Sequence, residues 1–111
     1  MGDHAVAVNA GALNHLFALQ SPTPGDLSPD AWTTVDDMVW GEIKAVSQRE
    51  SLRFGVPLSE GQFVITVYYR SDVRASYRMT EPDSDRTFQI LGYSDPTGAL
   101  EQLDLLVVEV L

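Results

Sequence analysis

Sixteen carboxylates and two histidines are the side chains in this 111-residue sequence best suited to acid–base or metal chemistry, and there is no cysteine. A closed zinc site takes four ligands, mostly thiolate or imidazole, so His4 and His15 would need carboxylates to complete one. His15 stands among Leu13, Phe17 and Leu19, where a hydrogen-bonded core histidine is expected rather than a ligand or a base. Asp83-Ser84-Asp85 has the look of a cation loop but lacks the further ligands and downstream Glu of a calcium site. A solvated hairpin tip uses the same residues. Asp36 and Asp37 are chain neighbours, and neighbours in a strand point to opposite faces, so they do not meet one substrate. The eight glycines show no phosphate-cradling spacing, and no Gly-x-Ser-x-Gly elbow is present. Tyr68, Tyr69 and Tyr77 near Arg70, Arg74 and Arg78 would suit a stacking platform for single-stranded nucleic acid. The same residues serve equally well in a core or a subunit contact. The expectation is a protein that is not an enzyme and has no cofactor or metal.

The formal charge of −9 comes from sixteen acids against seven bases. Such a domain is repelled by phosphate backbones, which disfavours a conventional nucleic-acid reader. A hydrophobic fraction of 44% supports one packed core, and the length suits one domain. No run approaches the roughly 18 apolar residues of a membrane span. Met1-Gly2-Asp3-His4 opens with an acid rather than the basic region of a signal peptide, so the chain reads as unexported.

The elements that would carry these residues are strands. Residues 1–10 are small and weakly patterned and read as a flexible arm, leaving 11–111 as the domain. Leu13, His15, Phe17 and Leu19 alternate along a first strand. The Pro/Gly/Ser/Asp cluster from Ser21 to Pro29 reads as a loop. A second strand runs from about Trp32 to Val46, where Gly41 marks a bulge or a close backbone approach. Ser47 and Glu50 have capping-box spacing for one short helical turn within a long connection ending at Gly61. Phe63 to Arg70 is β-branched and aromatic, with Phe63, Ile65, Val67 and Tyr69 on one face. Tyr77 to Thr80, Thr87 to Tyr93 and Leu100 to Leu111 complete six strands, the last after an Asp95-Pro96-Thr97-Gly98 turn. The fold class predicted is all-β, a single six-stranded barrel or sandwich with a long loop between strands 2 and 3. Strands 3 and 6 are apolar on both faces. Val64, Thr66, Tyr68, Arg70, Leu106, Val108 and Val110, on one face of each, are therefore candidates for a subunit interface.

These residues also carry a resemblance. Leu13-Asn14-His15-Leu16-Phe17-Ala18-Leu19-Gln20-Ser21-Pro22 is followed by Trp32-Thr33-Thr34-Val35, Val39-Trp40-Gly41-Glu42-Ile43 and Ser47-Gln48-Arg49-Glu50. Then come Ile65 to Arg70, Arg78-Met79 and Arg86-Thr87-Phe88-Gln89-Ile90. In this order the pieces, from about Gly11 to Val110, resemble the head–tail joining family of tailed phages and prophages, whose members are head-closure or stopper proteins.

That resemblance implies a virion protein assembled in the bacterial host cytoplasm into a ring, usually a dodecamer. It docks beneath the portal and adaptor after packaging and presents a surface to the tail terminator or tail tube. It also implies that the connection between strands 2 and 3 projects into the channel and holds the packaged double-stranded DNA. The residues concerned are Arg49, Glu50, Arg53, Phe54, Gly55, Leu58 and Glu60. No membrane is involved. An acidic channel wall would let DNA slide, since it offers no counterion-release gain. The alternatives are a neighbouring adaptor or tail-side ring protein and, in another class, a small barrel that binds single-stranded nucleic acid.

Overall fold

Alternating apolar residues roll the chain into a closed barrel. The computed structural model describes residues 12–23, 31–55, 61–96 and 98–111. The elements are β1 (His15–Pro22), β2 (Trp32–Ala45), α1 (Gln48–Phe54), β3 (Gln62–Tyr68), β4 (Arg78–Glu81), β5 (Arg86–Ser94) and β6 (Gln102–Val110). All pairings are antiparallel, in the cyclic order β1-β2-β3-β6-β5-β4. The all-β barrel expected from the sequence is thus what the chain forms. The arm at residues 1–10 lies outside the described residues.

The interior is filled from every strand. Phe17, Leu19, Ile65, Met79, Phe88, Leu105 and Val107 have no exposed surface, and Val73 from the β3–β4 connection joins them. Phe88 meets Phe17 and Phe63 edge to face, at centroid distances of 6.2 and 5.9 Å, the geometry that the ring quadrupoles favour. Each such side chain contributes roughly 1.5–3 kcal/mol by leaving water.

At Gly41 β2 and β3 approach closely. A Cβ there would lie 3.1 Å from Ile65 Cγ2, from the Thr66 carbonyl oxygen and from Val67 Cγ1. The close-approach reading of this glycine is the one that applies.

One local expectation is corrected and one is extended. Pro22 stays in β1, opposite Trp32. β4 pairs with β1 only as far as Gln20, so the missing N–H at Pro22 falls where β1 has lost its second neighbour. The helical turn expected after Ser47 is present and longer than one turn: α1 runs for seven residues. Ser47 Oγ accepts the Glu50 N–H at 3.2 Å, Glu50 Oε1 accepts the Ser47 N–H at 3.0 Å, and Gly55 closes the helix in the left-handed region. Both ends are satisfied by side chain or glycine, which lets so short a helix persist.

At 14 residues β2 is longer than its partners. Its register with β1 slips twice, between Phe17 and Leu19 and between Leu19 and Gln20. β3 pairs only with Gly41 to Ala45. Among the described residues, the half of β2 before Trp40 therefore has no strand on its β3 side.

Candidate functional site

Two parts of the barrel surface differ in chemistry. At the end where β1 starts and β6 finishes, polar pairs close the wall. Arg86 donates Nε and Nη2 to the two oxygens of Glu109 at 3.0 and 2.9 Å, and its guanidinium lies over Phe88 and Phe63. Hydrogen bonding to Arg86 holds the Glu109 carboxyl below its ordinary value.

His15 is here too, with Nδ1 2.6 Å from Glu81 Oε2 and its ring stacked on Phe17. It is hydrogen-bonded as expected but not in the core: its side chain is 38% exposed, because β1 begins at this residue. Burial pushes the Glu81 carboxyl up, yet the hydrogen bonds from His15 and Ser84 outweigh that and leave it below its ordinary value. Ser84 Oγ donates to Glu81 Oε1 at 2.7 Å, so the carboxylate stands between hydroxyl and imidazole. A serine nucleophile needs the imidazole on its own hydroxyl, so this trio has the wrong order for that chemistry.

Around the end of β3 and the β5–β6 turn the surface is apolar and exposed. Met38 and Trp40 on β2, Tyr68 and Tyr69 at the end of β3, and Tyr93 and Leu100 around the β5–β6 turn all present large side chains to solvent. The register that places Gly41 opposite Val67 brings Trp40 beside Tyr68 on the outer face. Two hollows open here. One, of about 160 Å³, is lined by Met38, Trp40, Tyr68 and Tyr69 where β3 leaves β2. The other, of about 390 Å³, is the barrel mouth, lined by Tyr69, Val73, Tyr93, Leu100 and Leu103.

Two polar devices shape this rim. Arg70 donates Nε and Nη2 to Asp72 at 2.7 and 2.9 Å, and Nη1 to Asp36 at 2.9 Å. Asp36 also accepts the Met38 N–H at 2.9 Å. The Met38 bond first and the Arg70 bond next hold Asp36 below its ordinary carboxyl value, and Arg70 does the same to Asp72. Asp95 accepts the N–H groups of Gly98 and Leu100 at 3.0 and 2.9 Å. It thereby holds Leu100 at φ 58°, a backbone region costly for a bulky residue, with the side chain turned outward.

The candidates from the sequence fall on both sides of this division. Of the interface set, Val64 and Leu106 are buried although they point away from the core, and Thr66 is buried while donating to Asp104 Oδ1 at 2.8 Å. Arg70 and Val108 are half-buried, and Tyr68 and Val110 are exposed. Outward parity was therefore no guarantee of access. Of the channel set, Arg49 is exposed in α1, Glu50 is buried in its cap, Phe54 is half-buried and Gly55 is exposed. Arg53 belongs to the last turn of α1, and Leu58 and Glu60 lie outside the described residues.

The cations of the suggested stacking platform are engaged within the chain. Arg70 is held as above, Arg74 donates to the carbonyls of Ser71 and Val73, and Arg78 lies over the Trp32 ring at 4.2 Å while donating to Gln20. Among the described residues no cluster of three or more His, Asp or Glu is placed to hold a metal ion. No described helix is long and apolar enough to cross a membrane. The sequence reading missed Met38, Trp40, Tyr93 and Leu100. The Trp40–Tyr68 pair was visible only as two aromatics on alternating strands.

Comparison with known proteins gives the same architecture a context. A family model described as phage head completion protein matches residues 8–110. The solution structure of protein SF1141 from Shigella flexneri 2a is similar, with a TM-score of 0.66 and 27% identity, covering 92% of this chain and 96% of that one. No curated protein matches the chain.

Proposed function

The chain belongs to the phage head completion protein family, and from that premise we propose that it is a stopper-type ring subunit of the head–tail connector. A structural role at the phage head and tail follows from the family itself. The finer reading is that copies form a ring beneath the portal or adaptor after packaging, help retain the DNA and offer the tail its attachment surface.

The observation that carries this reading is the exposed apolar rim of Met38, Trp40, Tyr68, Tyr69, Tyr93 and Leu100 around the end of β3 and the β5–β6 turn. Large exposed apolar patches on small domains mark contacts with other proteins. The rim meets the next protein along the connector axis. Ring closure needs two different complementary patches, and exposed Val110 at the far end of β6 belongs to one of them. The exposed Arg49 and Gly55 lie on the connection assigned to the bore.

Purified chain is added to DNA-filled heads that lack it, and its co-sedimentation and the DNA retained are measured. Wild type binds and holds the genome. A chain that leaves the heads untouched, or heads that keep their DNA equally well without it, would refute the role.

A further inference from the structure

We propose that the two hollows flanking Tyr69 form one groove that receives an extended peptide segment of a partner protein. Such a segment carries two apolar side chains and flanking lysine or arginine. The inference rests on the connector reading above and names the chemistry of the partner at the same rim.

The notch between β2 and β3 is a place where a sheet stops early. β2 continues past Trp40 without β3 beside it, so alternate backbone groups of its outer edge face solvent. Main-chain groups in such a gap are matched by an extended peptide. The two register slips in β2 and the Asp36 side chain on the Met38 N–H keep any added ladder short, which protects the edge from indiscriminate pairing. Affinity must therefore come from the hollows. Tyr69 borders both, and its N–H is fixed on the Glu101 carbonyl at 3.2 Å, making it a ridge between two apolar seats. Ser94, which lines the mouth, has its Oγ buried with no hydrogen-bond partner among the described residues. A χ1 rotation toward the mouth would bring it to a peptide group.

Charge selects the flanks. At the groove Asp95 and Arg70 line the hollows, and the single guanidinium of Arg70 is shared between two carboxylates, Asp36 and Asp72, which leaves an acidic excess. A cationic segment is favoured by this excess. A second copy at this groove is disfavoured, since edge-to-edge pairing of β2 would crowd the Asp36 and Asp37 carboxylates of both.

The test is a nuclear magnetic resonance titration of the full chain with a blocked nine-residue peptide. The peptide has Leu and Val two positions apart between pairs of lysines, and a twin carries glutamate in place of lysine. The lysine peptide should shift the amides of Trp40, Tyr69, Tyr93 and Leu100 with a Kd of about 0.1–1 mM. The glutamate twin should bind at least about tenfold more weakly, and Tyr69→Ala should cost at least about tenfold. Tyr93→Ser, tested in parallel, should weaken binding too. Equal binding of both peptides, no effect of either variant, or no shifts at millimolar peptide would overturn the proposal. So would sedimentation showing that copies associate through this face. Heads that are completed normally by Tyr69→Ala would sink this inference alone, whereas heads indifferent to the wild-type chain would sink the connector reading.

Discussion

Arg70 and Asp36 are 34 positions apart in sequence, yet Nη1 of one donates to Oδ2 of the other at 2.9 Å, tying the end of β3 to the unpaired half of β2. The other edge of the guanidinium holds Asp72. The rim hollow beside Tyr68 thus has its two walls pinned by one side chain.

Arg70→Ala should destabilise the fold by about 0.5–1 kcal/mol, the modest value expected for partly exposed partners. Its larger effect should be on the rim. Amide hydrogen exchange at Met38 to Trp40 should speed up more than at core residues such as Ile65. Because Asp36 and Asp72 are both held below their ordinary value, their contribution is present above that value of 3.8 and is lost as pH falls through their folded values. Wild type and variant should converge in stability there.

Gly41→Ala tests the close approach of β2 and β3. The added methyl meets backbone as well as side chains at 3.1 Å, so the β3 neighbours must give by a few tenths of an ångström. The expected cost is about 1–3 kcal/mol, read as a lower urea midpoint with an unchanged slope.

Glu81 makes the polar end pH-dependent. Its carboxyl sits below its ordinary value of 4.5, so the stability it confers is full above that pH and is lost as pH falls through the depressed folded value. Glu81→Gln should flatten the acid limb of the stability curve below pH 4.5 and lower stability at neutral pH, by the linkage of protonation to folding. Urea melts across pH 3–7, a span of ~4 units chosen to bracket the carboxylates, give the comparison.

Trp40→Lys separates fold from assembly. Trp40 is 45% exposed, so the monomer should lose no more than about 1 kcal/mol. Its addition to DNA-filled heads should fall at least about tenfold, the loss expected for an anchoring aromatic.

The sequence made the barrel legible where pattern and environment agree. Strand β3 carries Ile65 and Val67 inward and is bounded by turn residues, and Gly41 announced a tight spot. It could not show that Val64 and Leu106 are covered in the monomer, because period-2 alternation gives a direction and not an exposure. Pro22 read as a loop residue because only the pairing of strands, not the residue itself, reveals an edge. The capping box at Ser47 and Glu50 signalled a helix start, but the stop depended on the left-handed conformation of Gly55. The rim was the least legible feature. Met38, Trp40, Tyr93 and Leu100 come from three segments, and their meeting depends on where β3 ends relative to β2. The strained Leu100 backbone has no sequence signature at all.

The most direct measurement is cryo-electron microscopy of completed particles at the head–tail vertex. A ring of these six-stranded barrels should appear beneath the portal, with Trp40 and Tyr68 buried against a neighbouring connector protein. Completed particles whose vertex lacks this barrel, or holds it with that aromatic rim bathed in solvent, would contradict the account.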